Sequence, residues 1–351
     1  MWADLHAHYP MRVVSDLSPS STVERMRERR RGNVGLALSV LYRPFEEMDL
    51  SKPYAAPPAA GYFDLLLGDL EEVEAEVATH GRDTIRLVHD REELEGALTD
   101  GATALVHAVE GGFHLGDTSE EIARNCATLK RRGVAYVTVA HLFYRQVATN
   151  ANALPFLPDS LYGLFFPQPK DRHIAERGRA VLKGLVDNRI LVDVSHMDPG
   201  AVAETFRLLD EELDPERTLP VVSTHAGYRF GRQRYMHDAE ALLKIKERGG
   251  VVGLIMAQHQ LKDGLRRCRV KSFEDTLKVM FSHIDRIAEV TGGYEHIALG
   301  SDLDGFVKPT MAGIEKIGDL SLLEAPLRER YGDDAEPMMS GNALRVLRAL
   351  W

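Results

Sequence analysis

Eight times along its 351 residues the chain repeats one rhythm: a short β-branched apolar run, a loop, then apolar residues every three or four positions. The runs cover 4–8, 34–41, 102–110, 134–141, 190–196, 220–225, 250–256 and 296–302. Helical spacing follows at 119–131 (Ile122, Cys126, Leu129), 174–188 (Ala175, Val181, Leu182, Leu185), 239–248 and 273–290, and a last helix closes the chain over 337–350. Strands that alternate with helices pair in parallel and carry the helices outside. Eight such units close a barrel, so the predicted fold is α/β, a (β/α)8 TIM barrel occupying 1–351 as one domain. The run Val251 to Met256 is apolar on both faces, as a strand lining a packed core and covered by helices must be. A doubly wound open sheet is the competing architecture, but no Gly-x-Gly-x-x-Gly follows the first run. Residues 84–89 form either an additional short strand or an apolar patch on a loop.

Two connections are long and rich in proline and aromatic residues, 42–62 after the second run and 147–171 after the fourth. Connections of that length are lids, binding loops or subunit contacts rather than idle linkers. In a barrel they lie over the active face, so both are read as lids, with an oligomer contact as the alternative.

A formal charge of −10 argues against a nucleic-acid partner, which would need a basic face. The locally basic stretch 24–31 is interleaved with acids and reads as a solvated helix face. Two cysteines, Cys126 and Cys268, give no disulfide framework and no metal knuckle, which suits a reducing cytoplasm. Polar and charged residues begin at Asp4 and no apolar run reaches membrane-spanning length, so neither a signal peptide nor a membrane partner is expected.

Chemistry gathers where the runs end. Alternate residues of a strand share a face, so His6 and His8 point the same way and offer half of a metal site. Further along, Glu110, His141, His196, His225 and Asp302 each end an apolar run on its carboxyl side, and in a parallel barrel all those ends open on one rim. An ionised Glu or Asp there costs several kcal/mol unless a cation or hydrogen bonds compensate it. Together, His6, His8, Glu110, His196, His225 and Asp302 read as a metal site. By parity His107 and Asp193 face the helices, in hydrogen-bonding roles. Asp4, one layer below His6, is a candidate acceptor to fix an imidazole tautomer. Asp304 ranks behind Asp302 for proton transfer. Ordinary structural readings suffice for most of the histidines at 80, 89, 114, 173, 237, 259, 283 and 296.

His6-x-His8, Glu110-Gly-Gly, His141, Asp193-Val-Ser-His196, Ser223-Thr-His225, Gly300-Ser-Asp302-Leu-Asp304-Gly305 and Gly341-Asn-Ala-Leu-Arg345-Val occur in the order seen in membrane (renal-type) dipeptidases. The chain resembles that family, peptidase family M19 of the amidohydrolase superfamily, from Asp4 to Val346. The resemblance implies a binuclear zinc barrel that cleaves dipeptides and is favoured to be a homodimer. His6 and His8 would hold the first zinc, Glu110 would bridge, and His196 and His225 would hold the second. Asp302 would orient and deprotonate the bridging water, and His141 would contact the substrate carbonyl and its developing oxyanion. Arg234 best fits the family spacing for the substrate carboxylate, with Arg229 and Arg232 as alternatives. The family has His-x-Asp at the first motif; here position 8 is His, so one anionic ligand is gone.

Chemically, a metal pair lowers the pKa of water from ~15.7 towards ~7. Asp302 is placed to take the proton and pass it to a leaving amine. Two rivals stand beside a dipeptidase. One is another metal-dependent amidohydrolase acting on an N-acyl amino acid, lactone or cyclic amide. The other is a non-catalytic binding protein that lost the first metal.

Overall fold

The structure is a computed structural model that describes residues 1–8, 26–42, 61–81, 84–305 and 309–351. Nine strands lie in one parallel sheet: β1 (Trp2–Ala7), β2 (Val34–Leu41), β3 (Ile85–Leu87), β4 (Thr103–Glu110), β5 (Tyr136–Thr138), β6 (Leu191–Asp193), β7 (Val221–Ala226), β8 (Val252–Leu254) and β9 (Ile297–Leu299). Their order is β2-β1-β9-β8-β7-β6-β5-β4-β3, and β2 also pairs with β4. That pairing closes eight strands into a parallel barrel and leaves β3 outside the ring. Within 84–89, Ile85–Leu87 are therefore a strand: β3 pairs with the start of β4 (Ile85 with Thr103, Leu87 with Leu105), and β5 takes the same edge further on, at Val109 and Glu110.

Alternation along β4 shows the two layers. Ala104, Val106 and Ala108 share the face of Glu110 and pack inside with Leu5, Leu36, Leu38, Val40, Tyr136, Leu191, Val222 and Ala298. Leu344, Leu347 and Leu350 of the helix Asn342–Leu350 join this cluster and plug the end opposite Glu110. Leu105 and Val109 face outward and join the larger core under the helices, with Ile122, Leu129, Val181, Leu185, Ile245 and Ile287. Helices Ser119–Arg131, Pro199–Leu208, Ala239–Glu247 and Phe273–Thr291 start where Thr118, Asp198, Asp238 and Ser272 accept a backbone N–H three residues on. Each loop thus ends in its own helix signal. Gly253 and Gly300 let β8 and β9 close in on β7, since a Cβ at either would lie 2.0 or 1.6 Å from the Thr224 carbonyl oxygen.

Several strands end earlier than their apolar runs. Pairing stops at Thr138, Asp193 and Leu299, so His141, His196 and Asp302 lie in loops rather than on strands. His196 and Asp302 have left-handed backbone, with φ of 65° and 55°, and the chain there bends instead of alternating. Parity consequently fails for Asp193. It lies inside the barrel, not towards the helices, because the strand ends at Asp193 and the two residues between it and His196 do not alternate. His107 does face outward, with Nε2 3.6 Å from Glu74 Oε1 on the helix Tyr62–Glu76.

The basic stretch is also less solvated than its composition indicates. Within the short turn Met26–Arg30, Arg29 is buried and donates to the Met26 and Thr84 carbonyls. Of the two long connections, 43–60 lies outside the described residues. The other carries the short helix Asp159–Phe165 and is tied down by Asn150, whose side chain donates to the Leu142 carbonyl and to the Tyr162 hydroxyl. No helix among the described residues is long and apolar enough to cross a membrane.

Candidate metal centre

At the carboxyl-terminal mouth of the barrel one carboxylate sits among five imidazoles. Glu110 Oε1 lies 3.0 Å from His196 Nε2, 3.2 Å from His225 Nε2 and 3.4 Å from His6 Nε2. Oε2 lies 3.2 Å from His141 Nε2 and 3.5 Å from His8 Nε2. Asp302 Oδ1 reaches His8 Nε2 at 3.2 Å, with its backbone pinned by an N–H bond to the His6 carbonyl. All seven side chains singled out from the sequence thus meet within one small volume, although they come from six different strand ends. Asp304 follows in the same loop, also with left-handed backbone.

The contacts are those of a cation site. His6 and His8 bring their Nε2 atoms to 3.2 Å, and His196 and His225 to 3.0 Å. Two neutral imidazole nitrogens with bare lone pairs repel at that range unless a proton or a metal ion lies between them. Burial first, then the neighbouring His225, pushes the His6 pKa well below its ordinary value, and burial brings His196 down to about 4. Both are then neutral at pH 7, the form that binds metal. Burial alone would raise Glu110, but facing His141 and His6 holds it well below the usual carboxylate range. Its Oε1 is buried with no hydrogen bond of good geometry. Two trios, His6, His8 and Asp302, and Glu110, His196 and His225, each bring ligand atoms within 4.8 Å of one another and could hold a divalent ion. Imidazole and carboxylate donors of this kind suit zinc.

Beneath the imidazoles the structure adds residues that the sequence reading passed over. Thr224, next to His225, reaches His6 Nδ1 at 3.0 Å and His225 Nδ1 at 2.9 Å, and the Tyr136 hydroxyl lies 2.8 Å from His6 Nδ1. Asp4 does a different job from the tautomer role expected of it: it accepts from the backbone N–H groups of His6 and Ser301 and from the Ser301 hydroxyl, tying β1 to the loop after β9. The signals for Thr224 and Tyr136 were present. One adjoins a ligand histidine, and the other lies two residues before Thr138 on a strand lining the barrel.

The mouth itself is narrow, a cavity of about 40 Å³. Tyr42, Leu142, Ala153, Pro155, Tyr235, His259 and Gln260 line it beside the site residues. Tyr42 stands edge-on to His8 and His141, with ring centroids 5.3 and 4.6 Å away, and Tyr235 stands edge-on to His196 at 4.9 Å. His259, read as ordinary from the sequence, is one of the walls. Arg234 is not: its guanidinium is more than half exposed and lies 3.4 Å from Asp198 Oδ2. It borders two larger cavities of about 360 and 420 Å³, the second of which Asp198 also lines. Arg229 donates to the Met236 carbonyl and to Asp238. The backbone N–H of Arg232 donates to Asp263.

A closed parallel barrel with histidines and carboxylates gathered at its carboxyl rim defines the class, a metal-dependent hydrolase. A sequence model of the membrane dipeptidases, peptidase family M19, matches residues 2–350. The chain belongs to that family. An uncharacterized dipeptidase of Schizosaccharomyces pombe is 28% identical over 255 residues, which are 70% of this chain and 53% of that protein. A dipeptidase of Clonostachys rogersoniana is 23% identical, over 76% of this chain and 60% of its own length. The chain thus spans little more than half the length of these two fungal relatives. An uncharacterized protein of Klebsiella pneumoniae is 25% identical over 79% of this chain and 93% of its own. Among solved structures, a metallopeptidase of Rhodobacter sphaeroides bound to a phosphinate mimic of L-Ala-D-Ala superposes with a TM-score of 0.75 at 20% identity, covering 100% of this chain and 99% of that one. An amidohydrolase of Pseudomonas aeruginosa gives 0.69 at 18%, covering 93% and 92%. At such identities these two structures speak for the fold.

Proposed function

We propose that the protein hydrolyses the peptide bond of small dipeptides, including those with a D-residue at the carboxyl-terminal position, with two zinc ions bound. The observation that carries the reading is the single carboxylate of Glu110 ringed by five Nε2 atoms at 3.0–3.5 Å. His6 and His8 would hold one ion, His196 and His225 the other, and Glu110 would serve both. The bound pair would supply an acidified water and Lewis-acid polarisation of the scissile carbonyl. Asp302, 14% exposed at the edge of the cluster, takes the proton from the attacking water and returns it to the leaving amine nitrogen. His141 Nε2, aimed into the same cluster, donates to the carbonyl oxygen as negative charge builds on it. Tyr42 and Tyr235 shield the imidazoles from bulk water. Arg234 would leave Asp198 and fork the free carboxylate of the substrate.

The position of Arg234 also favours a second reading. Because no arginine lines the mouth among the described residues, a substrate without a free carboxylate, a lactone or cyclic amide, fits the same chemistry. A zinc-loaded panel separates the two. It would contain dipeptides with L- or D-residues at the carboxyl end, the same dipeptides amidated, and N-acyl amino acids and lactones. Preferential cleavage of the free acids supports the dipeptidase reading; turnover confined to amidated or cyclic substrates overturns it. Absence of both turnover and metal would leave a non-catalytic binding protein. The unpaired thiols of Cys126 and Cys268 suit the cytoplasm. The exposed Phe156, Leu164 and Phe165 of the 147–171 connection suit a homodimer contact.

A further inference from the structure

Two of the four histidines assigned to metal share one hydroxyl. Thr224 Oγ1 lies 2.6 Å from Asp193 Oδ2, 3.0 Å from His6 Nδ1 and 2.9 Å from His225 Nδ1, all fully buried. A hydroxyl has one hydrogen to give and two lone pairs to fill. The direction of each bond follows from Asp193. Its Oδ1 accepts the backbone N–H groups of Ser195 (2.9 Å) and Thr224 (3.0 Å) and the Ser195 hydroxyl (2.7 Å), and its Oδ2 accepts the Thr138 hydroxyl at 2.6 Å. A carboxylate so surrounded is an acceptor only, so the Thr224 hydrogen goes to Asp193. Both lone pairs of Thr224 are then left for donors; the Tyr136 hydroxyl, which also contacts Thr224, gives its hydrogen to the Leu5 carbonyl, so among the described residues the two imidazoles supply them.

We infer that Asp193 and Thr224 form a relay that fixes His6 and His225 together in the Nδ1–H tautomer, so that both aim a bare Nε2 lone pair at the metal pair. The inference rests on reading the site as a metal centre and goes further in naming what presets it. The Tyr136 hydroxyl agrees with the assignment at His6: it donates to the Leu5 carbonyl at 2.9 Å and so accepts from His6 Nδ1 at 2.8 Å. Asp193 itself forms a third trio with His6 and His225 whose ligand atoms lie within 4.8 Å of one another. The Thr224 hydroxyl fills the centre of that trio, so Asp193 acts through Thr224 and not as a ligand. His6 belongs to one metal trio and His225 to the other, and a single hydroxyl therefore couples the two ion sites. Thr224 and Asp193 are positioning residues.

The test uses three variants of the full chain and two readouts, competition of Zn²⁺ or Co²⁺ against a chromogenic chelator and ¹⁵N NMR of the metal-free protein labelled at histidine. Thr224→Val keeps the shape and removes the hydroxyl, and weakens both ions about 10- to 100-fold, the range typical of lost outer partners. Thr224→Ser keeps the oxygen and stays within about threefold of the wild type. Asp193→Asn is the sharpest. Two backbone N–H groups hold the amide oxygen at the Oδ1 side, so the NH₂ falls on the Oδ2 side and donates to Thr224. The Thr224 hydrogen must then turn to an imidazole and impose the wrong tautomer, so this variant loses at least as much metal affinity as Thr224→Val. Equal affinity in Thr224→Val and the wild type, or weakening of one ion alone, overturns the relay. If the wild type took up no metal, the metal reading would fall, but the NMR would still judge the relay. His6 and His225 should show Nδ1–H in the wild type and lose that single tautomer in Thr224→Val; a mixed tautomer in the wild type ends the proposal.

Discussion

Asp302→Asn tests the proton-transfer step with the least disturbance of anything else. Asp302 has φ of 55°, a conformation that asparagine adopts readily but alanine reaches at a cost of about 1–2 kcal/mol. Its backbone N–H to the His6 carbonyl, 2.7 Å, is independent of the side chain. The amide oxygen can still face His8 Nε2, which the carboxylate meets at 3.2 Å. Fold and metal should therefore survive while the proton acceptor is lost. A positioned acid or base is typically worth 10²- to 10⁴-fold, so kcat should fall by that factor, about 2.7–5.5 kcal/mol in the barrier. Dipeptide cleavage followed by chromatography, with metal content measured on the same samples, gives both numbers. A metal-loaded variant that keeps more than a tenth of the wild-type kcat would remove Asp302 from the chemistry. Asp302→Ala should additionally lose stability through the strained backbone.

Three further outcomes are expected. His8→Asp restores an anionic ligand and should be active with metal bound at least as tightly; loss of metal would show a site built around imidazole. Arg248→Met should destabilise the fold by about 3–5 kcal/mol in urea unfolding, because it removes the cation from Asp214, whose carboxylate meets Arg248 at 2.7 Å with both side chains buried and keeps only its neutral Thr218 and Leu219 donors; a loss under about 1 kcal/mol would contradict this. Burial holds His283 and His237 at about 4 against an ordinary 6.5, and His283 uses both ring nitrogens, one towards the Leu261 carbonyl and one towards the Tyr228 N–H. Because these folded values lie below the unfolded ones, the unfolded chain binds more protons. Stability in chelator should thus be full above about pH 6.5 and decline towards pH 4, by up to roughly 3 kcal/mol per histidine. A flat urea midpoint from pH 6.5 to 4.5 would refute it.

The barrel was legible because its signal is repeated: eight apolar runs alternating with helical spacing, several of those helices opening on a side-chain cap, leave few other ways to bury the chain. The six metal candidates and His141 were legible because a charged or imidazole group ending an apolar run needs compensation wherever it lands. Strand ends were less legible, since apolar residues continue beyond the last paired residue into the loops that carry His141, His196 and Asp302. That is why alternation misplaced Asp193, which sits one turn of backbone below the site instead of behind the sheet. Thr224 and Tyr136 carry no charge and look like ordinary strand residues, so their position beside a ligand histidine and on a barrel strand is a weak signal that the contacts make plain. Arg234 depends on a side chain's direction, which spacing does not encode: the structure turns it to Asp198.

Glu110 and its surrounding imidazoles are proposed to form a paired cation site. Metal analysis of the chain after Zn²⁺ loading and removal of excess ion tests it directly. Two ions per wild-type chain, falling to one or none in Glu110→Ala with its fold intact, is the predicted result. A wild-type chain that retains no metal, or a Glu110→Ala variant that still retains two, contradicts it.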